Sequence, residues 1–172
     1  KRNNGKTKKF WEKFGKALAE LHSITNNEFG ADIHNYMGSV PQDNSLNKNW
    51  ITFFIEQRIL PLIIKCKEQN LITSLHEQLF QQLFIKLPEY FKNVKPSLVH
   101  GDLWSGNFMC NHQSQPVLID PAVYYGHPAV DLGMTTLFGG FQQGFYDAYH
   151  YQFPFPQNYR EQWQVCNLYP LL

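Results

Sequence analysis

Apolar residues return at intervals of three and four along the start of the chain, at Phe10, Phe14, Ala17, Leu18 and Leu21. That period places them on one face of an amphipathic helix. The following stretch, "NNEFGADIHNYMGSVPQDNSLNKN", is rich in Asn, Gly, Ser and Asp and reads as a long loop. A loop of that length without elements of its own is usually functional or packed against something. "WITFFIEQRILPLIIKCKEQN" resumes a helical period, with Pro61 expected to kink or interrupt it. Leu75, Leu79, Leu83 and Leu87, joined by Phe80 and Phe84, predict another amphipathic helix that ends before Pro88.

The pattern changes at Pro96. "SLVH", "NFMC" and "PVLID" are short, β-compatible runs, and the turn-like "NHQSQ" separates the last two. "PAVYYGHPAV" reads as loop, while "DLGMTTLF" and "YREQWQVCNLYPLL" return to helix. The expected fold class is therefore α+β and mostly helical, with a small hairpin-like patch that carries the polar residues.

Bulk properties narrow the picture only slightly. A length of 172 residues suits one domain, and 43% apolar with 17% charged residues is an ordinary globular balance. A net charge of +1 gives no general pull toward nucleic acid or acidic membranes. Cys66, Cys110 and Cys166 are far apart, which predicts neither a disulfide framework nor a zinc site and fits a reducing cytoplasm. The longest apolar runs are too short to span a bilayer. The chain opens on Lys1 with the basic run "KRNNGKTKK", read as a solvated linker or helix lead-in, and is expected to be a piece of a longer protein.

The chemistry concentrates in "LVHGDLWSGNFMCN". Phosphoryl transfer needs a carboxylate to orient and deprotonate a hydroxyl, and hard oxygen ligands to hold Mg²⁺ on a triphosphate. Kinase catalytic loops place the base and a metal-binding amide in the spacing D-x-x-x-x-N. Asp102 and Asn107 stand at that spacing, His100 lies just before the base, and Asp120 ends the next apolar run. In these roles Asp102 is the base, with Asn107 and Asp120 as metal ligands. Gly101 and Gly106 are expected to let the loop turn tightly.

These residues carry a family resemblance. "LVHGDLWSGN", "PVLIDPAVYYGHPAVDLGMTTLFGGF", "FYDAYH" and "FGADIHNYMGSVPQDNSLNKNWITFFIEQRI" resemble the fructosamine kinase (ketosamine 3-kinase) family, within the kinase-like fold shared with aminoglycoside phosphotransferases and choline kinases. The resemblance implies ATP- and Mg²⁺-dependent phosphorylation of the sugar 3-hydroxyl of ketosamines, a deglycation repair reaction. It implies that Trp104 faces the sugar, the alternative being a core anchor for the loop. It also implies that His100 shapes the loop and that Asp131 braces it. Asp32, His34, Asn35, Tyr125 and His127 stand open between substrate contact and structure.

The resemblance covers the C-terminal lobe of such a kinase. No G-x-G-x-x-G loop or V-A-I-K-like strand occurs before Phe10, so the ATP-clamping lobe is expected to lie outside these residues. "LYPLL" is likewise expected to sit inside a continuing helix, and the fragment alone is expected to be inactive. Two alternatives stay open: another small-molecule kinase of the superfamily, and a catalytically silent lobe used for binding. A metal hydrolase is disfavoured, since no H-E-x-x-H spacing supplies further ligands.

Overall fold

The computed structural model describes residues 6–172, so the first five residues of the basic run lie outside the described residues. The fold is α+β, with about half of the chain helical. Helix α1 (Lys8–His22) begins where the Thr7 hydroxyl accepts the Phe10 N–H at 3.3 Å, a side-chain N-cap. Its apolar stripe buries Phe10, Trp11, Phe14 and Leu18 against α6 (Gln143–Gln152).

The stretch read as loop contains a short hairpin, β1 (Asn35–Met37) and β2 (Val40–Gln42). Next comes α2 (Trp50–Phe54), then a π-helical turn at Ile55–Ile59, then α3 (Leu60–Glu68). Pro61 therefore distorts the helix without ending it. Proline offers no N–H to the carbonyl four residues earlier, and that carbonyl, Gln57 O, instead accepts from Arg58 Nη1 at 3.1 Å. Helix α4 (Ser74–Tyr90) also corrects an expectation, because it runs through Pro88. The proline falls in the last turn, where its missing N–H withholds one bond from Phe84 O, and Phe91 N–H closes on Leu87 O at 3.0 Å.

The strands form separate antiparallel pairs rather than one patch. β3 (Ser97–Val99) pairs with β6 (Tyr124–Gly126), inside the segment read as loop, whereas β4 (Phe108–Cys110) pairs with β5 (Pro116–Leu118). The chain then folds into α5 (Ala129–Leu137), α6, α7 (Tyr159–Cys166) and the short α8 (Leu168–Leu171), with α5 packed along α7.

Two aromatic-rich cores hold these pieces. One gathers Trp50, Phe53, Phe54, Leu87, Val99, Tyr124 and Tyr169. The other gathers Phe10, Trp11, Phe14, Leu103, Phe108, Phe145 and Tyr149. Val99 and Leu103 are both 0% exposed and lie in different cores. Burying each contributes about 1.5–3 kcal/mol, and together they pin the polar segment between them at the seam.

Candidate active site

The segment His100–Asn107 is held by hydrogen bonds to fixed groups. Asp131, 0% exposed on α5, accepts the His100 N–H on Oδ2 at 2.7 Å and the Gly101 N–H on Oδ1 at 2.8 Å. His22, at the end of α1, places Nε2 3.0 Å from the same Oδ2, and its Nδ1 lies 2.7 Å from the Tyr149 hydroxyl. Burial opposes ionisation of Asp131, but the hydrogen bond and charge of His22, with the charge and backbone N–H of His100, outweigh it. They hold the carboxyl below the ordinary range.

His100 orders the loop on its other side. Its Nδ1 accepts the Asp102 N–H at 3.2 Å, which leaves Nε2–H to donate to Ile119 O at 3.0 Å. Its carbonyl accepts the Ala122 N–H at 2.8 Å, and Ile119 N–H bonds Asn107 O at 3.0 Å. Residues on both sides of Asp120 are thus tied to the loop. Asp120 itself has φ +54, a conformation costing a non-glycine residue about 1–2 kcal/mol, and these flanking bonds keep it there.

Asn107, 6% exposed, donates Nδ2–H to both Asp102 O and Asp102 Oδ2 at 2.9 Å. Its amide oxygen is left for another partner. The half-buried Asp102 carboxyl is raised above the ordinary range, first by burial. Asn107 and His100 lower it, and the negative charges of Asp120 and Asp131 raise it. Asp120 thus lies near enough to disfavour ionisation of Asp102. Asp102 and Asn107 are in direct contact, and Asp120 acts on Asp102 through its charge.

Both loop glycines have a reason, and the reasons differ. Gly101 has φ +83, and a Cβ there would lie 2.1 Å from Ala122 O. Gly106 instead makes room for the Trp104 ring, whose Cη2 would lie 2.3 Å from a Cβ.

Beside Asp102 opens a cavity of about 270 Å³ lined by Met37, Gly38, Trp104, Met134, Phe138 and Pro170. Trp104 is 37% exposed and meets the 60% exposed Phe138 edge-on, with ring centroids 5.6 Å apart. Met37 and Gly38 come from the hairpin tip, and Phe138 from the end of α5. Of these walls the sequence marks only Trp104 as a candidate, although Met37, Gly38, Met134 and Phe138 all fall within the stretches that carry the family resemblance.

Asp32, His34, Asn35, Tyr125 and His127 are placed as follows. Asn35 Nδ2 donates to Val123 O at 2.8 Å, and its Oδ1 accepts from Asn44 at 3.0 Å. His34 Nδ1 accepts the Asn44 N–H at 3.0 Å. Asp32 is exposed, and Tyr125 exchanges backbone hydrogen bonds with Gly30. His127 lines a different cavity. Arg58, 1% exposed, reaches Asp43 O and the Asn44 side chain at 2.6 Å and stacks its guanidinium 4.2 Å over the Tyr124 ring. It fastens the hairpin's return strand to β6.

A Mg²⁺ ion fits part of this set. Asn107 keeps a free amide oxygen, and exposed Asp120 forms no ion pair among the described residues. Among those residues no cluster of three or more His, Cys, Asp or Glu could hold a metal alone. Oxygens from phosphate and water must complete the shell.

Comparison with known proteins decides the family. The sequence profile described as Fructosamine kinase matches residues 3–172. The chain belongs to the fructosamine kinase family. Among its relatives, a "Probable ketoamine kinase" of Lactiplantibacillus plantarum is 39% identical over 160 residues, covering 92% of this chain and 57% of that protein. The Ketosamine-3-kinase of Mus musculus is 35% identical, covering 84% and 47%. The chloroplastic Protein-ribulosamine 3-kinase of Arabidopsis thaliana is also 35% identical, covering 92% and 49%. The crystal structure of a candidate fructosamine-3-kinase from Thermobifida fusca superposes with a TM-score of 0.90 at 33% identity, over 96% of this chain and 58% of that one. The chain spans about half the length of these family members. Among the described residues no helix is long and apolar enough to cross a membrane.

Proposed function

We propose that the protein carrying this chain phosphorylates the sugar 3-hydroxyl of ketosamines, with ATP as donor and Mg²⁺ as cofactor, and so promotes deglycation of amines or proteins. The observation that carries this reading is the Asp102–Asn107 hydrogen bond, with Asp120 alongside, at the mouth of an aromatic cavity. The names of the mouse and Arabidopsis relatives support the ketosamine class.

Asp102 acts as the base. Asn107 occupies its Oδ2 and leaves Oδ1 for the substrate hydroxyl. As the hydroxyl oxygen bonds the terminal phosphorus and the bond from that phosphorus to the ADP oxygen breaks, releasing ADP, the hydroxyl proton passes to Asp102. Its raised pKa, set mainly by burial, makes it a stronger proton acceptor. Asn107 and Asp120 would hold Mg²⁺, which would neutralise charge on the phosphates. Trp104 covers the apolar face of the sugar while its indole N–H stays accessible. Asp131 and His100 hold the loop and touch no substrate. In this reading the chain is the C-terminal lobe of a kinase-like fold, and residues outside it clamp ATP. The free cysteines support a reducing, cytoplasmic setting, and neither nucleic acid nor membrane is a partner.

The test is a substrate panel on the full-length protein, read by ³¹P NMR. Fructosyl-lysine and ribulosyl-lysine should gain a phosphate ester on the 3-oxygen, while choline and aminoglycosides stay unmodified. Phosphate on the latter alone would overturn the assignment.

A further inference from the structure

A second and larger cavity, of about 440 Å³, lies beyond the Asp131 brace. Its volume falls within the roughly 300–1,000 Å³ of small-molecule sites. Val94, Leu132, Phe153, Phe155 and Trp163 supply hydrocarbon and aromatic walls. Phe155 stacks on Tyr149 with centroids 5.4 Å apart and meets Trp163 edge-on at 5.2 Å, so the aromatic side is braced from within.

Polar groups share the lining, with Ser23, Thr25 and Asn93 beside the better-placed His127, Gln162 and Ser97. His127 Nδ1 accepts the Ala129 N–H at 3.0 Å, which puts the ring's own proton on Nε2. Burial pushes His127 down to about 3, so the ring serves as a neutral donor. Gln162, 5% exposed, gives Nε2 to Tyr90 O at 2.8 Å and keeps its amide oxygen. Ser97, 2% exposed, adds a hydroxyl to the lining. The charged side chains on the lining are Lys92 and Lys95, and no Asp or Glu lines it among the described residues. An organic cation would meet two like charges there.

We propose that this cavity binds a small aromatic carboxylate, its ring among the aromatic walls and its carboxylate paired with Lys92 and Lys95. His22 and Tyr149 stand behind the cavity wall, both 0% exposed, and their mutual hydrogen bond of 2.7 Å backs Asp131. The proposal does not depend on the kinase reading.

The experiment is calorimetric titration of the full-length protein with indole-3-acetate, and with indole and tryptamine as neutral and cationic counterparts. Indole-3-acetate should bind saturably at one site and at least about tenfold more tightly than tryptamine. The double variant Lys92→Glu, Lys95→Glu changes only exposed positions. It should weaken the acid about tenfold and leave indole unchanged. Histidine ring NMR signals of His22 and His127 should shift on binding while the Trp104 indole signal stays still. The proposal fails if no acid binds saturably. It also fails if tryptamine binds as well, if the preference survives lysine reversal, or if the shifts fall at Trp104.

Discussion

Replacing Asp131 with Asn tests how the loop is held. The native carboxylate accepts three hydrogen bonds while fully buried: His100 N–H at 2.7 Å, Gly101 N–H at 2.8 Å and His22 Nε2 at 3.0 Å. Asparagine keeps the shape but offers one oxygen, and its NH₂ must face one of the donors. Each hydrogen bond to a charged acceptor is worth about 1.5–3 kcal/mol, and a stranded buried N–H costs about 1–3 kcal/mol. Allowing for relaxation, we expect a loss of about 3–5 kcal/mol in urea unfolding, close to the cost of breaking a buried charge pair. The pH dependence has a definite sign. The Asp131 pKa is depressed in the folded state, so its contribution is present above the unfolded value of about 4 and is lost as pH falls through the folded value. The variant should therefore show a shallower acid limb of stability than the parent. Amide hydrogen exchange at His100 and Gly101 should accelerate before global unfolding. A change below about 1 kcal/mol with both amides still protected would refute the brace.

Gly101→Ala should cost about 3 kcal/mol or more, since it joins a left-handed backbone to a clash with Ala122 O, and chemical denaturation reads it directly. Arg58→Met should remove about 3 kcal/mol by leaving Asp43 O and the Asn44 amide oxygen without their donor, with fluorescence-monitored unfolding as the check. The Asp102 carboxyl should titrate above the usual carboxylate value of about 4 in ¹³C NMR. In Asn107→Ala it should titrate higher still, because the hydrogen bond that lowers it is gone. A downward shift in that variant would contradict the assigned direction.

What could be read from the sequence follows the range of the forces involved. Asp102 and Asn107 sit on one short loop, so spacing alone relates them, and Asp120 lies two residues past β5. The β1–β2 hairpin was hidden because its strands are three residues each, too short to show alternation. It is also tied down from afar by Asn35 bonded to Val123 O and Arg58 bonded to Asn44. The cavity walls beside Asp102 come from the hairpin tip, the ends of α5 and α8 and the loop itself, and no local pattern links such positions. Pro88 misled because a proline this near a helix's end withholds a single ladder N–H, the one toward Phe84 O, while Phe91 N–H still closes the last turn on Leu87 O. His22 went unremarked as one more residue at a helix end, and its partnership with Asp131 spans 109 positions.

The central claim is that Asp102 removes the substrate proton while the groups around it hold nucleotide and loop. Single-turnover phosphorylation of fructosyl-lysine by full-length Asp102→Asn protein tests it most directly, alongside ATP affinity from calorimetry. We expect the rate to fall by about 10²–10⁴ with ATP affinity unchanged, the usual contribution of a positioned general base. An undiminished rate in that variant would contradict the account.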